Sequence, residues 1–437
     1  MIDSKAQPIT PWTIVEFLFF KRDAIIKIAA SKSAFWIGFL FVIAAGFARE
    51  YDGEYLVAEP WHLILPLAAS LIGCGSMVLL IFLFLKCNRA EESSFAEVFR
   101  SFLNTYWMTG PLALVYGIPV ERMFDPADAT RANLYLLAIV SVWRVLLTIR
   151  CVQVLCSTSL WRSVVIVLLF CDILAMLALY FVPGPIFMIM GGVRLTESER
   201  IILQVRHFLI LLCYGTILVW VIGYISICSR SRKLAFYRSR ETQRDLNPNV
   251  ERNTWLTALA AIAMWIPFLF FTQPEQRLRW QSEQMIEQGN FIKFGELTGA
   301  NPREAFPPHW DPPPRVGYRE REPRPFLVLH GLYKSNAAAP WVLDAYQSKL
   351  HFDISTNRWR DFGGRSENPI STDELKKMVE VLEQMPDGAK AAREICNSLQ
   401  DHVANSEDRS ALITRIKSIA DSDNSDETES DRSGSGE

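Results

Sequence analysis

Two ionisable residues stand where ionisable residues are costly. Arg144 lies inside the apolar run Ala132–Cys156, and Asp172 lies inside the next one, Trp161–Val182. A short polar break from Ser157 to Leu160 separates the runs, so an antiparallel hairpin would turn between Thr158 and Ser159. Both charges are then about 14 residues from the turn, or roughly 20 Å at ~1.5 Å per residue, at matched depth. A charge within hydrocarbon needs a partner or a wet cavity, so the spacing predicts an intramembrane Arg144–Asp172 pair. Two chemistries suit such a pair: a relay or gate whose charge state changes during transport, or a fixed lock between two helices. A relay runs through more than one acid, and the expected spans hold no second one, which favours the lock. Arg150, nearer the helix end, is expected to snorkel.

The other chemistry-bearing patterns are weaker. Residues 229–253 carry seven basic side chains, among them Arg230, Arg232, Lys233, Arg238 and Arg240, with Phe236 and Tyr237 interleaved. Anionic lipid headgroups would bind such a loop, and the same charges equally serve to orient the spans. A short loop tethered to a membrane is a poor nucleic-acid reader. Leu327-Val328-Leu329-His330-Gly331 looks like the strand before the oxyanion loop of α/β hydrolases. No G-x-S-x-G elbow follows it, and the remaining ~100 residues cannot complete that sheet. Ser76 and His207 sit at depths ~20 Å apart, too far for a nucleophile and its base. HExxH, Walker A, GxGxxG and kinase patterns are missing from the sequence. Seven of the eight cysteines lie in or beside apolar runs with no CxxC or Cys/His ligand spacing, which points to buried free thiols. The expectation is a protein that is not an enzyme, with no catalytic residues, no cofactor and no metal.

These residues need elements to hold them. Half of the 437 residues are hydrophobic, and the formal net charge is −2. That average hides a division: residues 34–272 hold long apolar runs, whereas 273–437 are polar, Pro-rich and finally acidic. A bilayer core of ~30 Å takes ~20 apolar residues to cross. On that basis seven spans are expected, near 34–48, 61–85, 104–120, 132–156, 161–182, 207–228 and 254–272. Gly110-Pro111 and Pro119 should kink the third. Residues 1–33 read as a basic amphipathic helix capped by Thr10-Pro11, with Lys5, Lys21, Arg22, Lys27 and Lys32 and no cleaved secretory leader. Phe95, Val98, Phe99 and Phe102 follow a Ser94…Glu97 capping box and suggest a second interfacial helix. Lys and Arg number 17 in residues 1–33, 86–102, 150–162 and 229–253, against 6 in 49–60, 120–131 and 183–207. The positive-inside rule then places the N-terminus in the cytoplasm, and seven spans place the C-terminal region on the opposite side. A bacterial inner or cytoplasmic membrane is the expected location.

The tail divides further. Residues 273–325 read as a helix continuing from the membrane, then a Pro-rich linker with eight prolines between Pro302 and Pro325. This linker is a spacer or, alternatively, a segment that docks an aromatic-lined groove. Residues 326–420 read as a small, mainly helical soluble domain. It has a short strand at Phe326–His330, a capping box at Ser371-Thr372-Asp373-Glu374, and helices at Ala389–Val403 and Ala411–Ala420. Residues 421–437, with seven acids against one Arg432, read as disordered.

The order of features in residues 13–182 resembles bacterial membrane proteins of the Yip1-like class. The similar parts are Phe19-Phe20-Lys21-Arg22-Asp23-Ala24-Ile25, a helical pair, Phe95-Ala96-Glu97-Val98-Phe99-Arg100, a Pro-containing span and a hairpin. The resemblance implies membrane organisation and trafficking partners rather than catalysis, and brings no catalytic residues. The chain departs from that class in two further spans and a long tail. The sequence thus predicts an all-α polytopic membrane protein, with lipids and a protein bound through the C-terminal region as its partners. Its expected role is a non-catalytic organising or interaction module, with a transporter or permease component using Arg144–Asp172 as the alternative.

Overall fold

A computed structural model describes residues 8–87, 94–181, 197–229, 248–313, 323–355, 371–399 and 407–430. The described residues form helices joined by short connections, with one isolated parallel bridge between Ile9 and Val250 and no strand. They divide into two compact units, one ending at Gln276 and the other starting at Arg277.

The first unit opens with helices α1 (Pro11–Leu18) and α2 (Arg22–Ala30). Thr10 caps α1 in a reciprocal box with Thr13, and Pro11 occupies the first helical position. The single amphipathic helix expected here is broken at Phe19-Phe20-Lys21, where Phe20 takes φ 66°. That left-handed conformation is unfavourable for a bulky side chain, and donors from a distant helix hold it. Trp143 Nε1 reaches the Leu18 carbonyl at 2.9 Å, and Arg150 Nε reaches that of Phe20 at 3.4 Å. Arg150 is therefore engaged at this elbow and also bonds Gln153 Oε1 at 2.6 Å. Ile14, Phe17, Ile25 and Ile28 are buried in the main core, so the apolar face of α1 and α2 packs on the bundle.

Helix α3 (Ala34–Glu50) turns from α2 by 103°. The corner leaves carbonyls without helical partners. Asn104, fully buried, donates its amide to Ser31 O at 2.7 Å and to Ile28 O at 3.3 Å. Ser31 Oγ in turn donates to Pro248 O at 2.7 Å. The far end of α3 is held as firmly. Thr272 Oγ1 and Gln273 Nε2 donate to Tyr51 O at 2.6 and 3.1 Å, and Tyr51 Oη donates to Gly117 O at 3.2 Å.

Helix α4 (Trp61–Cys87) returns alongside α5 (Phe95–Trp107), whose first turn is capped by the Ser94 hydroxyl. Phe95 is exposed while Val98 and Phe102 are buried, so α5 sits on the bundle through part of the expected stripe. The expected span 104–120 is not one helix. α5 ends at Trp107, and Gly110–Gly117 continues as a 3₁₀ helix. Pro111 lacks an N–H, and a 3₁₀ turn tolerates that interruption. Gly110 also lies against α3, where a Cβ would stand 2.9 Å from Phe41 Cβ. Next come α6 (Pro126–Leu155), α7 (Leu160–Phe181), α8 (Glu197–Ser229), α9 (Arg252–Ala263) and α10 (Ile266–Glu287).

Five stretches among the described residues are long and apolar enough to cross a membrane: Trp61–Lys86, Pro126–Leu155, Leu160–Tyr180, Arg200–Ser229 and Arg252–Glu287. The bent pair of α2 and α3 would make six, against the seven expected. Ile72, Leu79, Ile139, Leu211, Leu218 and Phe270 are exposed on these stretches, an apolar exterior suited to lipid tails. The protein is an all-helical, multi-pass chain built for a membrane.

The second unit has its own core, including Phe294, Phe326, Leu329, Tyr346, Leu350 and Leu382. Its helices are α11 (Phe291–Ala300), α12 (Pro325–Ser335), α13 (Pro340–Ser355), α14 (Thr372–Gln384), α15 (Gly388–Leu399) and α16 (Glu407–Ser430). The Ser371–Glu374 box caps α14 as the sequence implies. Phe326–His330 is the start of α12, not a strand; a short apolar run does not fix its own period, and Pro325 suits a helix start. Gly331 marks the crossing with α11, where a Cβ would lie 2.2 Å from Phe291 Cβ. α16 extends to Ser430, into the stretch expected to be disordered. The described part of the Pro-rich segment is packed rather than free. Phe306 stacks on Trp310 at 5.0 Å, both buried, and Tyr346 Oη and Lys349 Nζ donate to the Pro313 and Pro312 carbonyls.

Replacing Asn104 by Leu should leave the Ser31 and Ile28 carbonyls unpaired at a cost on the order of 1–3 kcal/mol. Unfolding in micelles should show a clearly lowered midpoint; an unchanged midpoint would mean that the corner holds without this side chain.

Candidate functional site

Arg144 and Asp172 are not joined. Among the described residues no ion pair links them, and each is held by a hydroxyl on another element. Arg144 Nε on α6 donates to Thr109 Oγ1 at 3.1 Å, and its guanidinium lies 5.4 Å from the centre of the Tyr106 ring. Thr109 Oγ1 donates onward to Tyr106 O at 2.7 Å, so the cation organises the junction between α5 and the 3₁₀ segment. Asp172 on α7 accepts from Thr216 Oγ1 of α8 at 2.7 Å. Residue counting from the turn fixes a side chain's height, but the direction it faces depends on rotation of ~100° per residue about the helix axis. On α6 that rotation turns Arg144 toward α5; on α7 it turns Asp172 toward α8. A narrow pocket beside Arg144 is lined by Thr105, Tyr106, Thr109, Thr148 and Cys151, with room for about one water.

The other residues singled out from the sequence are dispersed. Arg230, Arg232, Lys233, Arg238 and Arg240 lie outside the described residues. Ser76 Oγ donates to Ile72 O of its own helix at 2.9 Å. His330 meets Glu380 at 2.9 Å within the second unit's helix packing. Of the seven cysteines described, Cys74, Cys151, Cys156 and Cys213 are buried, and all seven are free thiols.

A denser polar constellation forms where α3 ends and α4 begins. Glu50 closes α3, and Glu54 stays one turn on through N–H bonds from Gly53 and Glu54 to Glu50 O at 3.3 and 3.2 Å. His62 stands in the first turn of α4. The ligand-capable atoms of Glu50, Glu54 and His62 all lie within 4.8 Å of one another, and all three side chains are half-buried. Glu59 Oε2 is 3.7 Å from His62 Nε2. The loop between is tied to α10: Gln273 Nε2 donates to Glu54 O at 3.0 Å, Leu56 N donates to Gln273 Oε1 at 2.9 Å, and Gln276 Nε2 donates to Asp52 O. Burial, helped by the negative charge of Glu121, raises the Asp52 carboxyl to about 6. Arg122 forks onto Glu275 at 2.5 and 3.3 Å. His62 passes unnoticed in the sequence because it meets Glu50 and Glu54 only through the fold of the loop that joins α3 to α4.

No protein-family model, curated protein or solved structure matches this chain. The expected resemblance of residues 13–182 to Yip1-like proteins finds no support in these comparisons.

If Arg144 serves the α5 junction and Asp172 the α8 contact, Arg144→Leu and Asp172→Leu should destabilise additively, with coupling within about 0.5 kcal/mol. Arg144→Leu with Thr109→Val should instead couple. Unfolding of the three single and two double variants in micelles checks this, and a large Arg144–Asp172 coupling would restore the charge pair.

Proposed function

We propose that the protein is an integral membrane organising or interaction module without catalytic activity, presenting its second unit to a protein partner. The observation that carries this is the separate engagement of the two intramembrane charges. Arg144 and Asp172 each fasten one helix to a neighbour through a hydroxyl. Charges used this way stiffen a scaffold, and the second unit, with a helical core of its own, offers a surface for docking. The transporter alternative draws on the hydroxyl-lined pocket at Arg144 and requires the charge on Asp172 rather than its hydrogen bond.

We also infer that the bundle traverses the membrane seven times. Ser31 meets Pro248 at one end of α3, and Tyr51 meets Thr272 and Gln273 at the other. α3 therefore runs beside the whole apolar stretch from α9 into α10. The pass through α5 keeps step with it: Asn104 meets Ser31, and Gly117 meets Tyr51. A 3₁₀ rise of ~2 Å per residue lets the eight residues Gly110–Gly117 cover about 16 Å. Seven passes with the 17-to-6 bias in Lys and Arg put the N-terminus in the cytoplasm and the second unit opposite.

The test compares crosslinked partners in native membranes for three forms. Asp172→Asn keeps an acceptor for Thr216 and should leave the crosslinked species unchanged. Ending the chain after Glu287 should abolish them while insertion persists. Loss with Asp172→Asn alone, at normal protein level, would favour transport; retention after truncation would remove the docking role.

A further inference from the structure

We propose that Glu50, Glu54 and His62 form a binding site for a divalent transition-metal cation, the class that zinc represents. Two carboxylates and an imidazole are a borderline donor set suited to zinc and its neighbours rather than to calcium or magnesium, which prefer oxygen alone. Bonds of ~2.0–2.2 Å in tetrahedral geometry place neighbouring donor atoms about 3.3–3.5 Å apart. The three donors already lie within 4.8 Å of one another, so a closure of at most about 1.5 Å completes the contact. Two glutamates, each with three rotatable side-chain bonds, can make that adjustment without moving backbone.

The backbone beneath is fixed from three directions. Glu50 and Glu54 are stacked one helical turn apart, and His62 N donates to Glu59 O at 3.2 Å at the start of α4. The loop between them is fastened to α10 by Gln273. Preorganisation of this kind lets binding energy go to the cation rather than to ordering the chain.

The local charge points the same way. Glu50, Glu54 and Glu59 crowd one imidazole. Arg49 lies 3.4 Å from Glu50 but has a side chain 68% exposed, where water screens it. Arg122, the other nearby cation, is committed to Glu275. Three protein ligands leave one position of a tetrahedron for water or for a partner's side chain. Such an ion would pin the end of α3 to the start of α4. The inference is independent of the organising role proposed above.

The experiment uses the full chain, purified in detergent, stripped with a chelator and titrated with zinc by calorimetry. One zinc per chain should bind, and His62→Ala, Glu50→Gln and Glu54→Gln should each weaken binding at least tenfold. His351→Ala, in the second unit, should bind as the unaltered chain does. If His62→Ala fails to fold, cobalt titration of the unaltered chain decides: nitrogen and oxygen ligands give d–d bands without a thiolate charge-transfer band. Absence of stoichiometric zinc, unaltered affinity in a folded His62→Ala, or a thiolate band would each overturn the proposal.

Discussion

A polar backbone group inside an apolar layer must find its partner within the protein, because lipid offers none. This constraint explains where the first unit places its few interior polar side chains. Helices that run unbroken satisfy themselves. At three of the described breaks a side chain from elsewhere in the sequence supplies the missing donor: Asn104 at the corner of α2 and α3, Trp143 and Arg150 at the elbow of α1 and α2, and Thr272 and Gln273 at the end of α3. The interruptions and the interior polar residues are therefore parts of one arrangement. Arg144 belongs to it too, since its hydrogen bond goes to Thr109, the residue just before the 3₁₀ segment.

This arrangement was only half visible in the sequence. Apolar length identifies α4, α6, α7 and α8, because a run of that composition has few alternatives. The equal spacing of Arg144 and Asp172 from the turn, and so their expected depth, was legible. Their directions were not, because azimuth depends on which faces the other helices occupy. Phe326–His330 failed for a related reason: four apolar residues and a histidine fit a strand or a buried helix, and packing against α11 decided between them. The Pro-rich stretch read as a spacer because its composition is that of one. Phe306 and Trp310 carry the contrary information, as large aromatics that can anchor an irregular segment to a core.

The cluster of Glu50, Glu54 and His62 shows the limit of linear spacing. Two of its members share a helical turn, but the third arrives from α4 after a loop shaped by contacts with α10. Ligand patterns read along a chain reward compact spacing, whereas this site depends on which helix ends meet.

The central claim is that the broken pass through α5 and Gly110–Gly117 runs from one face of the membrane to the other. Labelling single cysteines with an impermeant thiol reagent, in a background without the native cysteines, tests it most directly. Val57→Cys and Met123→Cys should react from one side of sealed vesicles, and Ser159→Cys and Asn249→Cys from the opposite side. Reaction of Val57→Cys from the same side as Ser159→Cys would contradict the account.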